Sequence, residues 1–304
     1  MKIGLVLPMQ ERSDTARRYT EIRGMALQAE ELGFDSIWLS DHLLYRLGGA
    51  SFGTWECWTC LAALAQATYR IALGTLVTSM GFRNPALLAK MATTLDEISE
   101  GRFTLGIGAG WHEPEFTAFG IPFDHRASRL AEALQIIRPL LKTGHVNLSG
   151  QYYQALNCEL RPRGPTTSGL PLLLGGSGQR LLRLAAEYAD LWNSGLLSEP
   201  TSLEAKQAAL VASCASAGRD PAMLGVTVHL PLVYPDRAPA PLFLREHLSG
   251  SDEFIAERWH QFAHMGVAEI MVECFPNDLT SLNRLTGALR IYRSSFEAPN
   301  RNMT

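Results

Sequence analysis

The sequence predicts an α/β fold, a (β/α)8 TIM barrel with insertions, as one domain over residues 1–304. Three observations carry this expectation. Short β-rich runs alternate with helix-period segments about eight times along the chain. Such repeats call for a parallel sheet with helical crossovers, and eight of them suit a closed barrel. No linker-like stretch divides the chain, which disfavours the next candidate, a doubly wound sheet with a second domain.

Taken in order, "KIGLVLP" is the first strand. Asp14 to Leu32 follows as a helix, with Ile22, Met25, Ala26, Ala29 and Leu32 at helical spacing, Asp14 as its cap and Gly33 at its end. "DSIWLS" is the second strand and Thr54 to Ala67 the second helix. "RIALGTLVT" is the third strand, and the helix after it starts on Asn84 as N-cap with Pro85 in its first turn. "RFTLGIGAG" is the fourth strand, followed by a helix over Ser128 to Lys142. Gly144 to Gly169 is less regular and contains a hairpin in "VNLSGQYYQALN". "PLLLGG" is the fifth strand, with a helix over Gln179 to Tyr188. "ADLWN" is the sixth, with a helix near Ser202 to Ala217. "MLGVTVHLPLVY" is the seventh strand, Ser251 to Met265 its helix, "AEIMVECF" the eighth strand and Asp278 to Tyr292 the closing helix. Tyr234 to Phe243, rich in proline, and Leu43 to Phe52 read as lids, the segments in which barrel enzymes diversify.

Composition removes several classes of function. A net charge of -3 gives no electrostatic reason to expect nucleic acid or an anionic membrane as partner. No run of about 18 apolar residues is present, so no membrane-spanning helix is expected. The first apolar run is short and broken by Pro8, which reads as a strand rather than a secretion signal, and the chain is expected to be cytoplasmic. Five cysteines make no disulfide framework, and Cys57 and Cys60 read as packed helix thiols. His260 and His264 have helical spacing, but Gln261 stands where a zinc hydrolase needs glutamate; no metal is expected. His125, His145, His229 and His247 show no partner in the sequence.

Polar and glycine-rich residues fall just after strands, where a barrel does its chemistry. Ser40, Asp41 and His42 follow the second strand, Thr78 and Ser79 the third, and "GAGWHEPEF" the fourth. "GGSG", Gly175 to Gly178, follows the fifth, and Asn193 and Ser194 the sixth. "GGSG" ahead of a helix suits a phosphate cradle, because bare backbone N–H groups and a helix N-terminus attract anions. The plainer reading is a tight turn. The glycines of "GIGAG" allow either close approach of a flat ring or simple strand packing; Trp111 occupies the third glycine position of a dinucleotide fingerprint. Asp41 and His42 form either a loop cap with a surface imidazole or an acceptor beside a proton carrier.

The run Arg70 to Phe123, "RIALGTLVTSMGFRNPALLAKMATTLDEISEGRFTLGIGAGWHEPEFTAFGIPF", resembles the hallmark block of the bacterial luciferase-like oxidoreductases and monooxygenases. "FDSIWLSDHL" before it, and "PLLLGGSGQRLLRLAAEYADLWN" and "IAERWHQFAHMGVAEIMVECFP" after it, are similar to the same family in the same order. The resemblance implies a β/α barrel, often a homodimer, that uses coenzyme F420 (a deazaflavin) or FMN. "SDH" resembles the F420-dependent branch, in which the acid, here Asp41, bonds the coenzyme and the histidine, here His42, contributes to proton transfer. The resemblance also implies a non-prolyl cis bond at Leu76–Val77 in a bulge behind the ring, with Thr78 or Ser79 touching the ring. It implies that Ala109 and Gly110 line the coenzyme, and that Gly175, Gly176, Ser177 and Gly178 bind its phosphate. His112 replaces the asparagine of many relatives, and would alter a hydrogen bond to the coenzyme or add a second acid–base group. The acid of the sugar-phosphate dehydrogenase branch is missing, with Trp111 or a neighbour in its place, which disfavours that substrate.

The expected function is hydride transfer between coenzyme F420 and a small organic substrate. The alternatives are an FMN-dependent monooxygenase fed by a partner flavin reductase, and a non-catalytic coenzyme carrier.

Overall fold

The computed structural model describes residues 1–11, 17–241 and 243–297. The chain runs β1 (Lys2–Val6), α1 (Tyr19–Glu31), β2 (Ser36–Leu39), β3 (Leu44–Leu47), β4 (Ala50–Gly53), α2 (Cys57–Ala67), β5 (Ala72–Thr75), β6 (Thr78–Ser79), α3 (Pro85–Ile98), β7 (Phe103–Gly108), α4 (Glu113–Ala118), α5 (Arg126–Thr143), β8 (His145–Ser149), β9 (Gln154–Glu159), β10 (Leu172–Gly175), α6 (Gln179–Tyr188), β11 (Leu191–Leu196), α7 (Pro200–Ser216), β12 (Gly225–Val233), α8 (Asp252–His264), β13 (Val267–Phe275) and α9 (Leu279–Glu297).

Among the described residues eight parallel strands close on themselves in the order β1, β2, β5, β7, β10, β11, β12, β13, with β10 pairing to β7 and β13 to β1. This is the expected barrel. Its interior is narrow, and residue size settles how it is filled. Val6, Trp38, Leu76, Leu173 and Met271 form the inner cluster. The Trp38 ring needs the space left by two glycines: a Cβ on Gly74 would overlap it, and one on Gly4 would lie 2.9 Å from its Nε1. The larger core lies between the strands and the surrounding helices.

Local chemistry sets most element ends. Asn84 accepts from the N–H groups of Ala86 and Leu87, and Pro85 opens α3, as expected. Ser251 caps α8. Three expectations shift. The helix expected from Thr54 starts at Cys57, because Thr54 bridges to Gln10 and Glu56 caps through Trp58 and Thr59 N–H. The helix expected from Ser128 starts at Arg126. The first helix starts at Tyr19, and its expected cap Asp14 lies outside the described residues. Leu43 to Phe52, read from sequence as a lid, carries an antiparallel hairpin, β3–β4, standing on the rim directly after β2. The hairpin expected in Gly144 to Gly169 is β8–β9, tied to α5 by Glu132, which accepts from the N–H groups of Gln151, Tyr152 and Tyr153.

Candidate active site

The rim at the C-terminal ends of the strands gathers the residues singled out in the sequence. After β5 the Leu76–Val77 peptide is cis and non-prolyl, and the chain then rejoins the barrel as β6 beside Ile107 and Gly108. Val77 points at glycines. A Cβ on Gly108 would lie 2.7 Å from its Cγ2, and one on Gly175 would lie 3.1 Å from its Cγ1. Gly106 has no room for a Cβ against the Thr75 carbonyl, and Gly110 (φ +81°) would bring one within 2.7 Å of both Phe116 and Ser79 Oγ. So the "GIGAG" glycines are explained by protein packing, the plainer of the two sequence readings: they admit the bulge. Ala109 beside them is half-buried against the core. Thr78 Oγ1 and Ser79 Oγ are buried with no hydrogen-bond partner among the described residues. Unpaired buried hydroxyls cost free energy, so these two are poised for a polar group that the protein itself does not supply.

Asp41 is buried. Its carboxylate accepts from Arg83 Nη1 at 2.5 Å and Nη2 at 3.0 Å and from Ser79 N–H at 3.1 Å. Arg83 also donates to Glu56 Oε1 at 2.6 Å. Burial pushes the Asp41 carboxyl up, and the Arg83 guanidinium, which stays charged, opposes this. A carboxylate has about four acceptor positions. Three are taken, so Asp41 reaches the rim mainly through what it holds: the N–H of Ser79 and the side chain of Arg83.

His42 is placed differently. Its Nδ1 lies 2.9 Å from Glu115 Oε1, and Glu115 also accepts from the N–H of Leu43 at 2.8 Å. Glu115 is buried. An imidazole whose Nδ1–H is held by a carboxylate presents Nε2 for proton exchange, with tautomer and ring orientation fixed. Tyr45 packs on His42 with ring centroids 4.4 Å apart, and the exposed Trp111 meets it edge-on at 5.5 Å. Burial, with the charges of Glu273, Glu115 and Asp41, pushes the Tyr45 phenol far up, so it remains a donor. His112 takes a third role. Its Nε2 accepts from Arg46 N–H at 2.9 Å, which ties the β3–β4 hairpin to the start of α4.

Sequence reasoning missed Glu115. "HEPEF" carries the signal of a helix start, proline with acids in the first turn. Nothing in it says that the second glutamate turns toward an imidazole 73 positions earlier. His229, partnerless in the sequence, lies 2.9 Å from Glu273 Oε2 through Nε2. His264 bonds the carbonyl of His260 within α8. Among the described residues no group of three or more His, Cys, Asp or Glu is placed to hold a metal, and no helix is long and apolar enough to cross a membrane.

At "GGSG", Gly175 ends β10 and Gly176 (φ +122°) makes the turn, its missing Cβ occupied by Leu181 Cδ1 at 2.5 Å. Gly178 is the N-cap of α6 and offers no side chain to it; Ser177 and Gly178 are exposed, and nothing lies within 4 Å of a Cβ on Gly178. In the first turn of α6 the Leu181 N–H donates to the Gly178 carbonyl, which leaves those of Gln179 and Arg180 open to an anion.

Fold and rim together define a TIM barrel whose polar and glycine-rich residues gather at the C-terminal ends of its strands, the end at which such barrels carry their sites. The chain belongs to the luciferase-like monooxygenase family, whose model matches residues 1–268. It is 33% identical over 172 residues to an F420-dependent glucose-6-phosphate dehydrogenase of Amycolatopsis mediterranei, covering 54% of this chain and 50% of that one. It is 33% identical over 205 residues to a 5,10-methylenetetrahydromethanopterin reductase of Archaeoglobus fulgidus, covering 66% and 57%. It is 32% identical over 207 residues to a pyrimidine monooxygenase of Rhizobium rhizogenes, covering 62% and 56%. The chain thus matches between half and three-fifths of the length of these relatives. In structure it is similar to an F420-dependent secondary alcohol dehydrogenase bound to an F420–acetone adduct, with TM-score 0.81 at 19% identity over 96% of this chain and 99% of that one. The F420-dependent tetrahydromethanopterin reductase of Methanopyrus kandleri gives 0.79 at 20% identity, over 97% and 99%. These likenesses establish the barrel.

Proposed function

We propose that the chain is an oxidoreductase that moves a hydride between coenzyme F420 and a small organic substrate. The observation that carries this reading is the His42–Glu115 pair on the rim, beside a bulge with two unpaired buried hydroxyls. Such a pair suits proton transfer coupled to hydride transfer, and the hydroxyls suit a polar coenzyme. When bound, the deazaflavin would supply or accept the hydride. Thr78 and Ser79 would meet its ring, and Ala109 and Gly110 would border it. Gly175 to Gly178 would hold its phosphate at the turn and the start of α6, through N–H groups other than that of Gly176, which donates to the Asn193 carbonyl. Asp41 would act by holding Arg83 and Ser79 in place, with its remaining acceptor position the one available to the ring. His112 would act on the hairpin that covers the rim. In this reading residues 1–304 work as one domain, in the cytoplasm, as a homodimer.

The second reading is an FMN-dependent monooxygenase fed by a flavin reductase. It is favoured by the pyrimidine monooxygenase of Methylorubrum extorquens, 31% identical to this chain over 240 residues and covering 72% of it. Fluorescence titration with F420 and with FMN separates the two. F420 binding in the micromolar range or below is the expected result. Tight FMN binding with no F420 binding would overturn the first reading.

A further inference from the structure

The barrel mouth contains a second imidazole–carboxylate pair, which the coenzyme reading leaves unused. Strand parity places it. Asn193 donates through Nδ2 to Thr227 Oγ1 at 2.9 Å and approaches Met271 Sδ at 3.6 Å. Met271 belongs to the inner cluster with Val6, Trp38, Leu76 and Leu173. Thr227 and Met271 therefore face the barrel interior. Side chains two positions apart on a strand share a face. His229 and Glu273 thus also face inward, one step nearer the C-terminal mouth. Leu76 in the same inner cluster opens the bulge, so the pair stands above the floor that the bulge completes, on the β12–β13 wall.

Three features argue against a purely structural ion pair. Its side chains are 14% and 15% exposed, so both reach the mouth instead of being sealed in the core. His229 Nδ1 has no hydrogen-bond partner among the described residues. Tyr45, which packs on His42, has a phenol pushed up by burial and by the charge of Glu273 as well as those of Glu115 and Asp41, so Glu273 lies at the same end of the barrel as His42. With Nε2–H held by Glu273, a neutral imidazole offers Nδ1 as acceptor to a hydroxyl, and a protonated one offers Nδ1–H to a carbonyl.

We propose that His229 and Glu273 form a substrate-anchoring pair, in which His229 Nδ1 hydrogen-bonds a hydroxyl or carbonyl oxygen of an alcohol- or ketone-type substrate. The reaction at that substrate rests on the oxidoreductase reading; the anchoring itself does not require a bound coenzyme.

The first test uses the full chain with 15N-labelled histidine. Cyclohexanol and cyclohexanone are the probes, with methylcyclohexane as the oxygen-free control. Histidine side-chain 15N shifts report tautomer and hydrogen bonding. The expected result is a shift of His229 Nδ1 with both oxygenated probes and none with the control. That response should disappear in Glu273→Gln, which loses the carboxylate that fixes the ring. No shift, or an equal shift with the hydrocarbon, would overturn the proposal.

The second test is kinetic and uses whichever coenzyme binds. His229→Gln and His229→Phe should raise KM for an oxygenated substrate about tenfold, the loss of one good hydrogen bond. Turnover at saturation should stay within about threefold, and coenzyme affinity should not change. A fall in coenzyme affinity with KM unchanged would assign the pair to the coenzyme instead and reject the proposal. If neither F420 nor FMN binds, the oxidoreductase reading fails, and the histidine shifts still decide the anchoring.

Discussion

His42 and Asp41 are neighbours in sequence that end in different environments. His42 lies on the rim with one ring nitrogen held by Glu115, whereas Asp41 is buried under Arg83 and Ser79. Their substitutions should therefore differ in kind. If His42 carries the proton as proposed, His42→Ala should lower turnover by roughly 10²- to 10⁴-fold, the usual contribution of general acid–base catalysis. Coenzyme affinity should stay within a few-fold, measured by fluorescence titration. Unchanged turnover would remove the role assigned to His42. The local motif could not show this division, because it depends on partners 42 and 73 positions away.

The elements that shape the rim are a bulge, a hairpin and a turn, and each has a residue on which it depends. Gly108→Ala would push a methyl into Val77. The bulge should be displaced and coenzyme affinity should drop at least tenfold. The double substitution Gly108→Ala with Val77→Ala removes the clash and should recover much of the loss. Equal losses in the single and double variants would show that Gly108 acts in some other way. The hairpin depends on a histidine. Burial, helped by the nearby His42 and opposed by Glu115, holds the His112 pKa below its ordinary 6.5. The neutral ring is also the one that can accept from Arg46 N–H. The unfolded chain therefore takes up a proton first as pH falls, and His112 contributes stability that is present above about pH 6.5 and is lost as pH falls through its folded value. Amide exchange at Arg46 should accelerate below pH 6.5 beyond the intrinsic rate. In His112→Asn, which cannot titrate, this extra pH dependence should be absent.

At the scale of the whole molecule, closure of the barrel surrounds an acid with walls of strand. Glu269 sits near the N-terminal end of β13, accepting from Ser36 Oγ and from Trp38 Nε1 at 3.0 Å. Burial pushes its carboxyl up, against the hydrogen bonds that oppose the shift. A raised folded pKa stabilises at low pH, and this contribution is lost as pH rises through the folded value. Glu269→Gln keeps an acceptor oxygen and removes the ionisation. It should leave the protein at least as stable at pH 7, and flatten the decline in stability above pH 4.5, read from chemical denaturation at a series of pH values. A loss of several kcal/mol at pH 7 would mean that the charge itself is needed. By itself the sequence determined the order of strands and helices, the parallel barrel, the cap at Asn84 and the placing of odd polar residues after strands. Those features depend on local periodicity, turn chemistry and the rule that crossovers bury both faces of a parallel sheet. Only the tertiary structure decided which polar groups meet. Glu115 reaches His42, Glu273 reaches His229, and Gly106 and Gly108 make room for Val77 because the fold sets side by side strands and loops that are far apart in the chain. Pairings at such separations leave no periodic trace in the sequence, since any residue that fits the local strand or helix satisfies the pattern equally well.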